Sequence, residues 1–189
     1  GSVVASMATE LGIVSPGAGG FITIWPPNEA PVVIDAYAEM PGRGRSTSRP
    51  VSTDVVRMGY GGGMETVIGW GSIATPGAFA GFDVASRLHG SVPWSELFIP
   101  SIGLARNGFA VSGATAYYLQ YAHDMIYGWD EEARRLHHRE DGTVVEEGDV
   151  LTNVDLADCL EVIGHEGVDA LYRGDIAVAL ALASKEQGG

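Results

Sequence analysis

The sequence predicts an α/β chain of the α+β kind, mostly helical with one short β-hairpin. Two observations carry this. Phe21–Trp25 and Val32–Tyr37 are short β-prone runs separated by Pro26-Pro27-Asn28, a strand–turn–strand pattern. From Pro76 onward the apolar residues recur at helical spacing between proline and glycine boundaries. The hydrophobic share of 46% over 189 residues is enough for a buried core.

Element by element, Val3, Val4, Met7, Ala8 and Leu11 form an opening helix that Gly12 stops. Ser15-Pro16-Gly17-Ala18-Gly19-Gly20 then breaks the chain. Residues 21–37 form the hairpin, and 41–66 a long irregular arm rich in Gly, Arg, Ser and Thr. Val67–Gly71 is a short strand. Pro76 opens a helix ended by Gly90, with Phe79, Ala80, Val84 and Leu88 as its apolar stripe. The next helix runs from Pro93-Trp94 to Gly108, kinked at Pro100. A third covers 113–127 and carries Tyr117, Tyr118, Tyr121 and Tyr127, read as core and groove lining. Residues 130–139 form a charged helix before the Asp141-Gly142 turn. Thr152 or Asn153 caps a helix with Leu156, Leu160 and Ile163 inward, ended by Gly167. A last helix covers 175–183. No domain boundary falls inside 1–189, so the sequence predicts a single partial domain truncated at both ends. Gly1-Ser2 fits either a tag remnant or a fragment boundary.

The net charge of −13 opposes binding to nucleic acid or to an anionic lipid surface. No apolar run reaches the length of about 18 residues that a spanning helix needs. Cys159 is the single cysteine, so no internal disulfide forms, and its helical setting predicts a buried structural thiol. Neither compartment nor leader is decided by these residues.

Each candidate for chemistry has a plainer reading. His165-Glu166 lacks a second histidine at i+4, where Asp169 stands, so it is no zinc motif. His137-His138 are adjacent, their rings diverge, and they read as a surface pair. No metal site and no cofactor is implied. The glycine runs at 17–20 and 59–63 match no phosphate-binding pattern and read as turns. The segment 43–57 is distinctive. It holds Arg43, Arg45, Arg49 and Arg57, opposed only by Asp54, in an acidic chain. One reading is a clamp for a small acidic substrate, because the guanidinium fork matches a carboxylate. The other is a basic loop paired to the acidic remainder of the protein.

Four segments in series resemble the γ-glutamyltranspeptidase family. Leu11-Gly12-Ile13-Val14-Ser15-Pro16 with the following glycines is similar to its LGVVEP stretch and glycine-rich turn. Ile34-Asp35 through Glu39-Met40-Pro41 is similar to its D-x-R-E-x-A-P segment. Thr75-Pro76-Gly77-Ala78-Phe79-Ala80-Gly81, then His89-Gly90, Pro93-Trp94 and Leu104–Phe109, resemble its VPG…AG, YG, PW and LA..GF landmarks. Asp141-Gly142, Glu147-Gly148-Asp149, Asp155-Leu156-Ala157 and Tyr172-Arg173-Gly174 complete the order.

The resemblance implies a segment of the large subunit of a four-layer αββα N-terminal-nucleophile hydrolase. Such a precursor cuts itself, and the new N-terminal threonine attacks a γ-glutamyl amide, its own amine serving as base. That threonine begins the small subunit, so no catalytic residue is expected in this chain and the fragment alone is expected to be inactive. The implied partners are the small subunit and a small-molecule amide. The family's D-x-R-E arginine, which grips the substrate carboxylate, has no counterpart here. Tyr37 stands at that position without gaps, and Ala38 with a one-residue shift. Tyr37, Arg43 and Arg45 are therefore the candidate substrate-binding residues, with the two arginines taking over the missing charge. A related amidohydrolase of the cephalosporin-acylase type, or an inactive member serving as a binding or structural protein, are the alternatives.

Overall fold

The computed structural model describes residues 1–42 and 51–189. Helix α1 (Ser2–Thr9) leads through a turn into the hairpin of β1 (Gly20–Ile24) and β2 (Val32–Ala36). The strands pair antiparallel, with Ile22 opposite Ile34 and Phe21 opposite Asp35. Because strand side chains alternate, Ile22, Ile24, Ile34 and Ala36 face inward. Phe21, Val33 and Asp35 lie on the other face, which is exposed. Helix α2 (Ala78–His89) packs against the inward face.

The segment expected to be an irregular arm contains a second hairpin. β3 (Asp54–Met58) pairs antiparallel with β4 (Met64–Ile68), and the connecting turn carries Gly61, Gly62 and Gly63 at positive φ. The short strand expected at 67–71 is the end of β4, followed by a 3₁₀ turn at Trp70–Ser72. The stretch expected as one kinked helix is a 3₁₀ turn, Trp94–Leu97, followed by α3 (Ile99–Asn107). Pro100 does not kink α3. It sits in the first turn, where its missing N–H has no helical partner to lose.

Helix α4 (Gly113–Ala122) is shorter than the expected 113–127, and α5 (Glu131–His137) follows. Between α3 and α4 lies β5 (Phe109–Ala110), paired with β6 (Val150–Leu151). The Asn153 side chain accepts a hydrogen bond from Leu156 N–H and so caps α6 (Val154–Glu166). A one-turn α7 (Asp169–Tyr172) and α8 (Asp175–Glu186) end the chain.

The main core joins α1, α2, α6 and α7 through Val4, Met7, Phe79, Leu160, Ile163 and Leu171, with Phe98 among them. The α2 stripe differs from the sequence reading. Ala78, Phe79 and Gly81 are buried, whereas Ala80 and Leu88 are exposed. Cys159 is only half-buried against this core, and burial raises its thiol pKa. His137 is a further correction. It is buried, stacked on the Tyr127 ring at 4.3 Å, because α5 turns it inward.

Candidate functional site: the exit of the central hairpin

The residues that leave β2, Tyr37 to Pro41, are held from two sides. Glu39 and Thr75 exchange backbone hydrogen bonds of 2.9 and 2.7 Å, which ties the exit to the approach of α2. Three glycines let the chain pass close by. A methyl group on Gly77 would stand 2.2 Å from the Tyr37 carbonyl oxygen and 2.5 Å from that of Ala36. One on Gly81 would meet the Ala36 Cβ at 2.2 Å, and one on Gly19 the Ala38 nitrogen at 2.6 Å. Gly77 and Gly81 are four residues apart, so they share one helix face and present a bare strip to the strand.

The start of α2 has no side-chain cap from its own sequence. Three tertiary bonds serve instead. Ala78 N–H donates to the Ala18 carbonyl at 3.1 Å. The Tyr172 hydroxyl accepts from Ala80 N–H at 3.2 Å and donates to the Pro76 carbonyl at 2.8 Å. Tyr172 thus binds α7 to the helix that backs the exit, and burial raises its pKa. Tyr172→Phe leaves one donor and one acceptor without their partner, so the expected loss of stability is about 1 to 2 kcal/mol. Denaturant unfolding checks this.

Tyr37 presents its ring to the exposed face of the hairpin, stacked on Phe21 with centroids 5.9 Å apart and planes 12° apart. Its N–H donates to the Asp35 carboxylate at 3.0 Å. The other two candidates, Arg43 and Arg45, lie outside the described residues. On one flank, an apolar cavity of about 720 Å³ opens between Phe21, Ile22, Ala36, Phe82, Trp94 and Met7. On the other, about 420 Å³ of space is lined by Pro41, Gly42, Thr75, Tyr172 and Leu180. Among the described residues no group of three or more His, Cys, Asp or Glu could hold a metal ion, and no helix is long and apolar enough to cross a membrane. Sequence reasoning missed Gly77, Gly81 and Tyr172 as parts of this clamp. The i, i+4 glycine spacing was the one local signal for it.

The family profile described as Gamma-glutamyltranspeptidase matches residues 2–189. The chain belongs to the γ-glutamyltranspeptidase family. It is 31% identical to Scoloptoxin SSD14 of Scolopendra dehaani over 100% of its length, covering 32% of that protein. It is 30% identical to the glutathione hydrolase proenzyme of Escherichia coli (strain K12), over 92% of its own length and 29% of the relative's. The chain therefore spans about a third of these curated relatives. Among solved structures, the Helicobacter pylori γ-glutamyltranspeptidase superposes with a TM-score of 0.81 at 24% identity, covering 99% of this chain and 52% of that one. The Pseudomonas nitroreducens γ-glutamyltranspeptidase complexed with L-DON gives 0.77 at 26% identity, covering 98% and 52%.

The expected fold class holds. The segment, about 47% helical and with two hairpins where one was expected, carries the γ-glutamyltranspeptidase form of the N-terminal-nucleophile hydrolase fold. Here helix α2 covers one face of the hairpin, and Phe21, Val33 and Tyr37 leave the other exposed.

Proposed function

We propose that this chain is a single partial domain from the large-subunit region of an acyl-transfer enzyme of the γ-glutamyltransferase or glutathione hydrolase type. The observation that carries the reading is the family match over residues 2–189, which includes the clamped Asp35–Pro41 exit. In this reading the nucleophile is an N-terminal threonine released downstream by self-cleavage of the precursor. Its hydroxyl attacks the amide carbonyl while its α-amine takes the hydroxyl proton. The leaving amine departs with that proton, and the acyl ester passes to water or to an amino acid or peptide. In this reading the segment supplies one wall of the cleft, and the nucleophile comes from the downstream subunit.

Arg43 and Arg45 are the residues proposed to hold the substrate carboxylate, in place of the arginine that Tyr37 displaces. Substituting both by alanine in the complete enzyme removes a charge-assisted pairing, so KM for a γ-glutamyl anilide is expected to rise about 10- to 100-fold. An unchanged KM would remove both arginines from the site.

The Phe21–Tyr37 stack favours a second reading, a related amidohydrolase of the cephalosporin-acylase type whose substrate carries an apolar acyl group. A panel of glutathione and γ-glutamyl anilide against N-acyl β-lactams, run on the complete protein, separates the two. The complete protein is expected to migrate as two pieces on a denaturing gel. A single uncut piece without activity on any member of the panel would support an inactive binding protein instead.

A further inference from the structure

The junction of α4 and α5 carries a pair of histidines that no part of the proposed acyl transfer uses. His138 Nδ1 lies 2.8 Å from the Arg134 carbonyl oxygen, which can only accept, so Nδ1 carries a proton. In the neutral ring Nε2 is then an acceptor, and His123 Nδ1 stands 2.9 Å from it as the donor. The bond joins the C-terminal end of α4 to the C-terminal end of α5. The adjacent His137 points the other way, bonded through Nδ1 to the Ala133 carbonyl and stacked on Tyr127.

Proton counting sets how this arrangement responds to acid. A first proton can sit on His123 Nε2 and leave the Nδ1–H···Nε2 bond intact. A second proton must occupy His138 Nε2, and two N–H groups then face each other between two cations. We propose that the His123–His138 bond is an acid-opened latch, holding α5 against the end of α4 at neutral pH and releasing it once both rings are charged.

The surroundings act in the same direction. Burial, the neighbouring His138 and Arg134 lower the pKa of His123, while Asp124 works against them. Arg134 lies 3.8 Å from Asp124, so that carboxylate's charge is shared between the two cations. His137 is also held below its ordinary value, mainly by burial, with His138 adding to it and the Ala133 bond opposing. Histidines lowered in the closed form bind more protons in the open form. The closed form is therefore favoured above the ordinary histidine pKa of about 6.5 and loses ground as pH falls below it. The release is local. Arg139, the next residue, is bonded to Asp149 at 2.8 Å and Glu146 at 3.1 Å, and its bond holds the Asp149 pKa low, so that anchor persists.

The test is hydrogen exchange on the complete protein, corrected for the intrinsic pH dependence of amide exchange. Between about pH 7.5 and pH 5, protection over 131–138, and at Val145, whose N–H donates to the His137 carbonyl, is expected to fall at least about tenfold, while α6 and the Glu146 and Asp149 amides of the Arg139 anchor change less than about threefold. His123→Asn keeps a side-chain N–H for His138 Nε2 at neutral pH, and its amide can turn to offer an oxygen once His138 is charged. This variant is expected to stay closed at neutral pH and to lose protection in acid less steeply, at a lower midpoint. An unchanged acid profile in His123→Asn, or an equal loss over α6, would overturn the latch.

Discussion

Gly77→Ala is expected to lower stability by about 3 kcal/mol, at the upper end of what overpacking costs. The backbone at Gly77 has φ −102° and ψ −13°, which any residue adopts, so conformational strain is not the cause. The cause is the position of two backbone oxygens, 2.2 and 2.5 Å from where the methyl group would go. Carbonyl oxygens of Ala36 and Tyr37 cannot change rotamer. Relief requires the strand exit to move away from α2, and the Glu39–Thr75 bridge resists that movement. On the acyl-transfer reading proposed above, the same variant in the complete protein is expected to raise KM for a γ-glutamyl anilide along with the loss of stability.

Gly81 sharpens the argument, because here the obstacle is a side chain. Alanine would ordinarily improve a helix interior by about 1 kcal/mol over glycine. In α2 its methyl would meet the Ala36 Cβ at 2.2 Å, so the helical gain is outweighed. Ala36→Gly removes that obstacle, and the pair Gly81→Ala with Ala36→Gly is expected to be more stable than Gly81→Ala alone. A double-mutant cycle from denaturant unfolding reads the coupling directly, and an additive result would mean the two positions do not press on each other.

Much of this fold was legible because the chain marks its own boundaries. Pro26-Pro27-Asn28 sets the first hairpin, Asn153 caps α6, and Gly90 and Gly108 end helices. The second hairpin was not legible. Its turn needs three consecutive glycines at positive φ, which no two-residue turn signature encodes, and its strands expose Val55 and Val67, so the alternation is weak. His137 was misread because its burial depends on where the Tyr127 ring lies, which local spacing does not reveal. The candidate site divides in the same way. Tyr37 could be singled out from the sequence by its place in the motif. The clamp around it could not, since Gly19, Gly77, Gly81 and Tyr172 act through contacts between distant parts of the chain.

Phe98→Ala is expected to lower stability by about 3 to 5 kcal/mol. Phe98 is fully buried where the 3₁₀ turn meets α3. Its ring stacks on Phe79 of α2 at 6.1 Å and takes the edge of Trp94 at 4.9 Å. Its underside rests on Gly164 of α6, where an added methyl would lie 3.2 Å from the ring. One side chain therefore touches the helix that backs the hairpin exit, the turn before α3 and the central α6. Truncation leaves a cavity that those three elements cannot close together, because the Trp94 indole is fixed by its N–H bond to the Ile163 carbonyl at 3.0 Å. Phe98→Leu keeps most of the volume and is expected to lose less than half as much. If both variants lost the same amount, lost aromatic contact rather than cavity formation would dominate. Because Phe79 shares α2 with Gly77 and Gly81, Phe98→Ala is also expected to loosen the hairpin exit. Hydrogen exchange at the Glu39 and Thr75 amides, whose bonds close that exit, reports the effect without any assay of activity.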